Sequence, residues 1–200
     1  MHGDRAPIDE IFKLSEKYNL KIIIDEAHAV GVLGQNGKGL SFEFSKNPSL
    51  FARIITFSKA YGTIGGAVLG GKELIDYLIN FSRSFIYSTA LPPFIYNRIK
   101  KSVEYTSNNT QLNLKLLDNI HYFNKIRTNK TTDISPIQTI VLGEIERTIK
   151  AAEKIQSKNI AVKPILPPTV KKGEERIRIC LHSFNTRKEI EQLYHILTSI

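Results

Sequence analysis

The sequence contains a single cysteine, Cys180, among 200 residues, which excludes an internal disulfide and any zinc centre built from several thiolates. A lone thiol suits a reducing compartment, so a cytoplasmic location is expected. No stretch approaches the roughly 20 uninterrupted apolar residues that cross a bilayer. The opening Met1-His2-Gly3-Asp4-Arg5-Ala6-Pro7 lacks the apolar centre of a secretory leader, and neither secretion nor membrane insertion is expected. Runs of like charge, Gly/Ser-rich linkers and internal repeats are also missing.

What is present is a soluble globular composition, 42% hydrophobic and 24% charged, on a chain long enough to bury about 70% of its unfolded surface. Lys and Arg number 28 against 19 Asp and Glu, a net charge of +9. Such an excess attracts acidic partners such as nucleic acid, anionic lipid or an acidic carrier protein. Here the charge is dispersed, as in Lys13, Lys17, Lys21, Lys72, Lys115 and Lys150, with no aromatic-and-basic recognition motif. No nucleic-acid partner is expected.

Along the chain, Ile8, Ile11, Phe12 and Tyr18 form one helical stripe between Pro7 and Asn19, predicting a surface helix over a sheet. Lys21-Ile22-Ile23-Ile24-Asp25 is a β-branched run without polar alternation, the pattern of a parallel strand covered on both faces. Arg53–Phe57 and Ala67–Gly70 read as two further strands, Lys72–Asn80 as helix, and Ser88–Pro93 as a break. Helical spacing then runs from Phe94 to about Lys130, interrupted near Thr106-Ser107-Asn108-Asn109. In the last third, strands are expected at Ile137–Leu142, Ile160–Ile165 and Arg176–Leu181, with a helix over Glu146–Ser157. A final helix opens on a capping box, Thr186 followed by Glu189. The boundary between the two kinds of layer falls near residues 92 to 110, giving domains of 1–100 and 101–200.

Asp25-Glu26-Ala27-His28 ends a hydrophobic strand, and a nucleotide hydrolase of the DEAH-box kind uses the same four letters to hold magnesium. That chemistry needs a P-loop. The nearest candidate, Gly37-Lys38, has Val32 in place of the first glycine and Gly39 in place of the hydroxyl residue. The paired histidines of a zinc protease are missing too. The grouping that remains is Asp25 and His28 at one strand end, with Thr56 and Lys59 at another, followed by Gly62, Gly65 and Gly66. An acid, an imidazole, a hydroxyl and a lysine at strand ends match what pyridoxal phosphate requires. The lysine forms a Schiff base, the aspartate keeps the pyridine nitrogen protonated, the imidazole meets the ring hydroxyl, and the threonine takes a phosphate oxygen. Each residue alone also has an ordinary reading as surface charge, structural histidine or turn glycine.

The motifs together resemble the α-oxoamine synthases, fold type I pyridoxal phosphate enzymes. The resemblance runs through Gly3-Asp4 with Ala6-Pro7, Asp25-Glu26-Ala27-His28-Ala29-Val30-Gly31, Gly34 with Gly37 and Gly39, and Thr56-Phe57-Ser58-Lys59-Ala60 with Gly62 and Gly65-Gly66. It continues through Phe85-Ile86-Tyr87-Ser88-Thr89-Ala90-Leu91-Pro92-Pro93 and Arg176-Ile177-Arg178. It implies an α/β fold: the C-terminal part of a cofactor-binding large domain with a mostly parallel sheet, then a small α+β domain. Ser135-Pro136-Ile137-Gln138 and Pro167-Pro168-Thr169-Val170 look most like the branch that makes 8-amino-7-oxononanoate for biotin. That implies a pyridoxal phosphate-dependent acyltransferase condensing L-alanine with a pimeloyl thioester, on acyl carrier protein or coenzyme A, with loss of carbon dioxide. A glycine C-acetyltransferase-like enzyme and an inactive fragment are the alternatives.

Carried over by position, the resemblance makes Lys59, Asp25 and His28 catalytic and cofactor-binding, and Thr56 a phosphate contact. Ser88 and Thr89 match a segment that reaches the neighbouring subunit's phosphate, which implies a homodimer with shared sites. Arg178 matches the receptor of the amino-acid carboxylate, and Thr169 a loop residue near the site. The family's chain is nearly twice as long, so the resemblance is to a C-terminal half. His2 stands where the family has aspartate, and Leu166 where this branch commonly has arginine.

Overall fold

The computed structural model describes residues 1–127 and 134–200. The chain divides into two compact units, one of Ala6–Asn113 and one of Met1–Arg5 with Leu114–Ile200.

The first unit opens with helix α1, Ile8–Tyr18. Asp9 and Glu10 in its first turn and Lys17 in its last complement the helix dipole. Asn19 ends it in the left-handed region at φ 50°, its N–H closing onto Glu16 and Ser15 carbonyls. The buried Phe12 of α1 stacks on Phe44 with ring centroids 3.9 Å apart. Strands β1 (Ile22–Asp25), β2 (Leu50–Thr56) and β3 (Gly66–Gly70) make a sheet in the order β1-β2-β3. β1 and β2 are parallel, with Asp25 opposite Ile54, while β3 returns antiparallel and pairs Gly66 with Thr56. The sheet is therefore mixed. Ile23 is 60% exposed, and Ile54 and Val68 on the same face are exposed as well. The unbroken run of β1 thus records what the strand could bury; the described elements leave Ile23 open rather than covering both faces. After β3 come α2 (Lys72–Phe81), the short α3 (Arg83–Ile86) and α4 (Pro93–Asn108), which starts on its proline.

Helix α5, Thr110–Ile126, follows a break at Asn109. The expected end of this helical stretch near Lys130 lies outside the described residues. From Leu114 onward the chain belongs to the second unit, whose sheet has the order β4-β6-β5, fully antiparallel. Its strands are β4 (Ile137–Val141), β5 (Lys163–Ile165) and β6 (Arg176–Cys180), joined with α6 (Ile145–Gln156) and α7 (Arg187–Leu197). Ile120, Phe123 and Ile155 are fully enclosed, and Ile177, Ile179 and Ile190 are nearly so. This is a closed core. The capping box at α7 forms as its spacing predicts: Thr186 accepts from the Glu189 N–H, and Glu189 accepts from the Thr186 N–H. Among the described residues no helix is long and apolar enough to cross a membrane.

Candidate active site

Because β1 and β2 are parallel, their C-terminal ends open on the same edge of the sheet. Asp25 is the last residue of β1 and lies opposite Ile54; Thr56 is two residues further along β2. With strands about 4.8 Å apart and about 3.3 Å of rise per residue, the Cα atoms of Asp25 and Thr56 are roughly 8 Å apart, their side chains on one face. Asp25 Oδ1 accepts from the Ala27 N–H at 2.9 Å, and the side chain is exposed. His28 follows in a turn closed by Ala29 and Val30 N–H groups onto the Glu26 carbonyl.

Lys59 lies in the loop that leaves β2. The loop is held by Phe57 N–H to Gly65 O at 2.9 Å, Thr63 N–H to Phe57 O at 2.9 Å and Gly62 N–H to Lys59 O at 3.1 Å. The Thr56 hydroxyl hydrogen-bonds with Ser58 Oγ at 2.9 Å and donates to Gly65 O at 3.2 Å. Lys59 itself is exposed. The two loops meet closely, because a Cβ added at Gly31 would stand 2.3 Å from the Ala60 Cβ. Glycine at Gly31, with φ of +79°, is what lets the turn after Asp25 rest against the residue beside Lys59.

Two features of this loop were not legible in the sequence. The Thr63 hydroxyl is buried without a hydrogen-bond partner among the described residues, a costly arrangement. The Tyr61 phenol is pushed above its ordinary value, chiefly by burial, with the Arg53 charge opposing, and so stays neutral.

Ser88 and Thr89 are exposed in the connection between α3 and α4, the Ser88 hydroxyl donating to Ser84 O at 2.6 Å. No hydrogen bond among the described residues joins them to the Asp25 or Lys59 loops. The chain immediately after them does reach the Lys59 loop, since a Cβ at Gly65 would meet Leu91 at 3.2 Å. Around them Tyr77, Phe81, Phe85, Tyr87, Phe94 and Tyr96 are all exposed, Tyr87 by 79%.

Arg178 and Thr169 belong to the second unit. The two arginines of β6 are in contrasting states. Arg176 is buried and engaged with the Glu174 carboxylate at 3.3 Å and with the His2 ring. Arg178, opposite Thr139 and Lys163, has a buried Nε with no hydrogen-bond partner and turns Nη1 to the Met1 sulfur at 3.7 Å. Its guanidinium thus keeps a donor that no described residue satisfies, a state that suits an anion-binding residue. Thr169 is exposed on a turn closed by its N–H onto Leu166 O at 3.0 Å. Among the described residues no cluster of His, Cys, Asp or Glu could hold a metal ion.

Against known proteins, the model of the family described as aminotransferase class I and II matches residues 1–197. A Methanococcus vannielii protein, provisionally an 8-amino-7-oxononanoate synthase, is 45% identical over 198 residues, covering 96% of this chain and 52% of that protein. The 8-amino-7-oxononanoate synthase 2 of Bacillus subtilis is 36% identical over 207 residues, covering 100% of this chain and 52% of the relative. Among solved structures, the 8-amino-7-oxononanoate synthase of Francisella tularensis superposes with a TM-score of 0.81 at 32% identity, covering 95% of this chain and 57% of that one. Serine palmitoyltransferase of Sphingomonas wittichii shares the fold, with a TM-score of 0.89 at 23% identity over 100% of this chain and 51% of its own. The chain spans about half the length of the curated relatives it matches.

Proposed function

The chain belongs to the aminotransferase class I and II family, and from that premise we propose that it carries the pyridoxal phosphate-binding and amino-acid-binding residues of an 8-amino-7-oxononanoate synthase. The observation that carries the proposal is the arrival of Asp25 and of the Thr56–Lys59 loop on one edge of neighbouring parallel strands, the edge where ligands sit in α/β sheets. The donor set fits the cofactor. Lys59 supplies an exposed amine for the aldehyde carbon, Asp25 an exposed carboxylate for the pyridine nitrogen, and His28 an imidazole for the ring oxygen. Thr56 is a hydroxyl contact for phosphate.

Bound there, the cofactor supplies an electron sink for the pair left at Cα of the amino acid. Asp25 holds a proton on the pyridine nitrogen and so sustains that sink. Lys59 removes the Cα proton and returns one after the acyl transfer, a role suited to an amine already beside the reacting carbon. Arg178 receives the substrate carboxylate through its fork, and Thr169 is a further substrate-binding residue on a loop. The net reaction joins Cα of L-alanine to the thioester carbonyl of a pimeloyl group carried on acyl carrier protein or coenzyme A. The thiol departs and the amino-acid carboxylate leaves as carbon dioxide. We assign the exposed aromatic surface of α2 to α4 to a second copy of the chain, which would bring Ser88 and Thr89 to the neighbour's phosphate. This would be a cytoplasmic homodimer.

The test is reductive trapping. The purified chain is incubated with pyridoxal phosphate, reduced with borohydride, digested and sequenced by mass spectrometry. A pyridoxyl group on Lys59 supports the proposal; modification scattered over surface lysines, with Lys59 unmodified, overturns it. Release of free thiol from pimeloyl-coenzyme A with L-alanine but not glycine then fixes the amino acid.

A further inference from the structure

Asp25 is on the open side of the sheet, and the residue after it is turned the other way. Glu26 is 2% exposed, and every polar group it has is engaged. Its N–H donates to Ile54 O at 2.8 Å, extending the β1–β2 ladder by one residue. Its carbonyl accepts from Ala29 and Val30 at 2.9 and 3.1 Å. Its carboxylate accepts from the Ser41 N–H at 2.9 Å, the Ser41 hydroxyl at 2.7 Å and Arg53 Nε at 2.6 Å, and forms an ion pair with Arg53 Nη2 at 2.5 Å. Arg53 Nη2 also donates to Lys38 O at 2.6 Å. The fit is tight enough to require glycine beside it: a Cβ at Gly39, where φ is +93°, would lie 2.6 Å from both Arg53 Nη2 and Glu26 Oε1.

We infer that Glu26 and Arg53 are a positioning pair that sets the direction of the Asp25 carboxylate; the inference rests on the cofactor reading above. Neighbouring residues at a strand end project to opposite faces. A side chain anchored by three hydrogen bonds and an ion-pair contact therefore fixes the backbone from which Asp25 projects. The same anchor holds Asp25 Oδ1 over the Ala27 N–H, leaving Oδ2 as the oxygen presented outward. A buried ion pair is a poor device for stability, because desolvation offsets most of its Coulombic gain. What it does supply is a single geometry. Arg53 is one residue from Ile54, which faces Asp25 across the ladder, so the pair also ties the direction of Asp25 to the strand that leads to Lys59.

The test uses the 200-residue chain. Glu26→Gln alone strands a half-buried guanidinium, so the informative variant is E26Q/R53M, which removes both charges together; R53K keeps the charge and serves as the conservative rescue. Two quantities are read. Three-bond couplings of Asp25 report its χ1 rotamer, and titration reports the dissociation constant for pyridoxal phosphate. A single Asp25 rotamer is expected in the wild type and in R53K, and rotamer averaging in E26Q/R53M. Weakening of cofactor binding by about tenfold or more is expected in the double variant, the scale on which partners of a ligating group act. A folded E26Q/R53M with the wild-type rotamer, or with averaged rotamers and unchanged affinity, overturns the inference. If the double variant fails to fold, Ser41→Ala, which removes one hydrogen bond to Glu26, is read in the same two ways. A wild-type chain that takes up no pyridoxal phosphate refutes the cofactor reading, and the couplings still decide whether Glu26 positions Asp25.

Discussion

Replacing Gly31 by alanine should separate the two loops of the candidate site. The added methyl would lie 2.3 Å from the Ala60 Cβ and 3.7 Å from its Cα. Carbon atoms in contact sit about 3.8 Å apart, so the loops must part by roughly 1.5 Å or the methyl must be overpacked. Overpacking costs about 1–3 kcal/mol, and holding alanine at φ of +79° adds about 1–2 kcal/mol. The sum is a destabilisation of about 2–5 kcal/mol. The displacement falls on the neighbour of Lys59, and a 1 Å misplacement of a reacting group can cost on the order of a hundredfold in rate. The structure also specifies the cure. With Ala60 changed to glycine, the new methyl meets only the residue-60 Cα at 3.7 Å, an ordinary contact. Urea unfolding and the yield of pyridoxyl-Lys59 after reduction, measured for G31A, A60G and the double variant, complete a cycle. G31A/A60G should recover the overpacking part of the loss and most of the Lys59 labelling. A G31A variant as stable as wild type, or a double variant no better than G31A, would refute the close approach of the two loops.

Arg178→Ala should raise KM for the amino acid by roughly 10- to 150-fold, the loss of one charged hydrogen-bonded contact of about 1.5–3 kcal/mol, while Arg178→Lys restores only part of it; an unchanged KM removes Arg178 from the carboxylate site. Sedimentation should find a dimer, and F85E/Y87E should weaken it about a hundredfold or more, since burying each ring contributes about 1.5–3 kcal/mol; a wild-type monomer at high concentration contradicts the assignment of that surface. In the second unit, Thr186→Ala should lower the thermal midpoint by about 2–4 °C through loss of the cap. Hydrogen bonds from the Thr186 backbone and hydroxyl hold the Glu189 carboxyl below its ordinary 4.5. That contribution is therefore full above pH 4.5 and lost as pH falls through the depressed value, so Thr186→Ala, which removes the hydroxyl bond and keeps the larger backbone one, should flatten this part of the acid limb only in part.

The elements with strong local signals were legible from the sequence. The stripe of Ile8, Ile11 and Phe12 gave α1, Asn19 its end, and Thr186 with Glu189 the start of α7, because helix faces and caps are set by residues three and four apart. The candidate site was legible as a set of residue types, Asp25, His28, Thr56 and Lys59, and β1–β2 pairing explains why letters 34 positions apart share an edge. Three things were not legible. The antiparallel return of β3 depends on the turn at Gly62 to Gly66, whose glycines allow either direction. The Glu26–Arg53 pair spans 27 residues and has no spacing signature, since its partners meet only once the ladder and the Gly31–Gly39 loop are closed. The unbroken apolar run of β1 reported how much the strand can bury, and Ile23 shows that such a run does not say what covers it.

The pairing of Asp25 with the cofactor nitrogen is tested most directly by nitrogen-15 NMR of the chain reconstituted with pyridoxal phosphate labelled at the ring nitrogen. A protonated nitrogen in the wild type that becomes unprotonated in Asp25→Asn is the expected result. The same nitrogen signal in both proteins would mean that the Asp25 carboxylate does not face the ring nitrogen, and the assignment would fall.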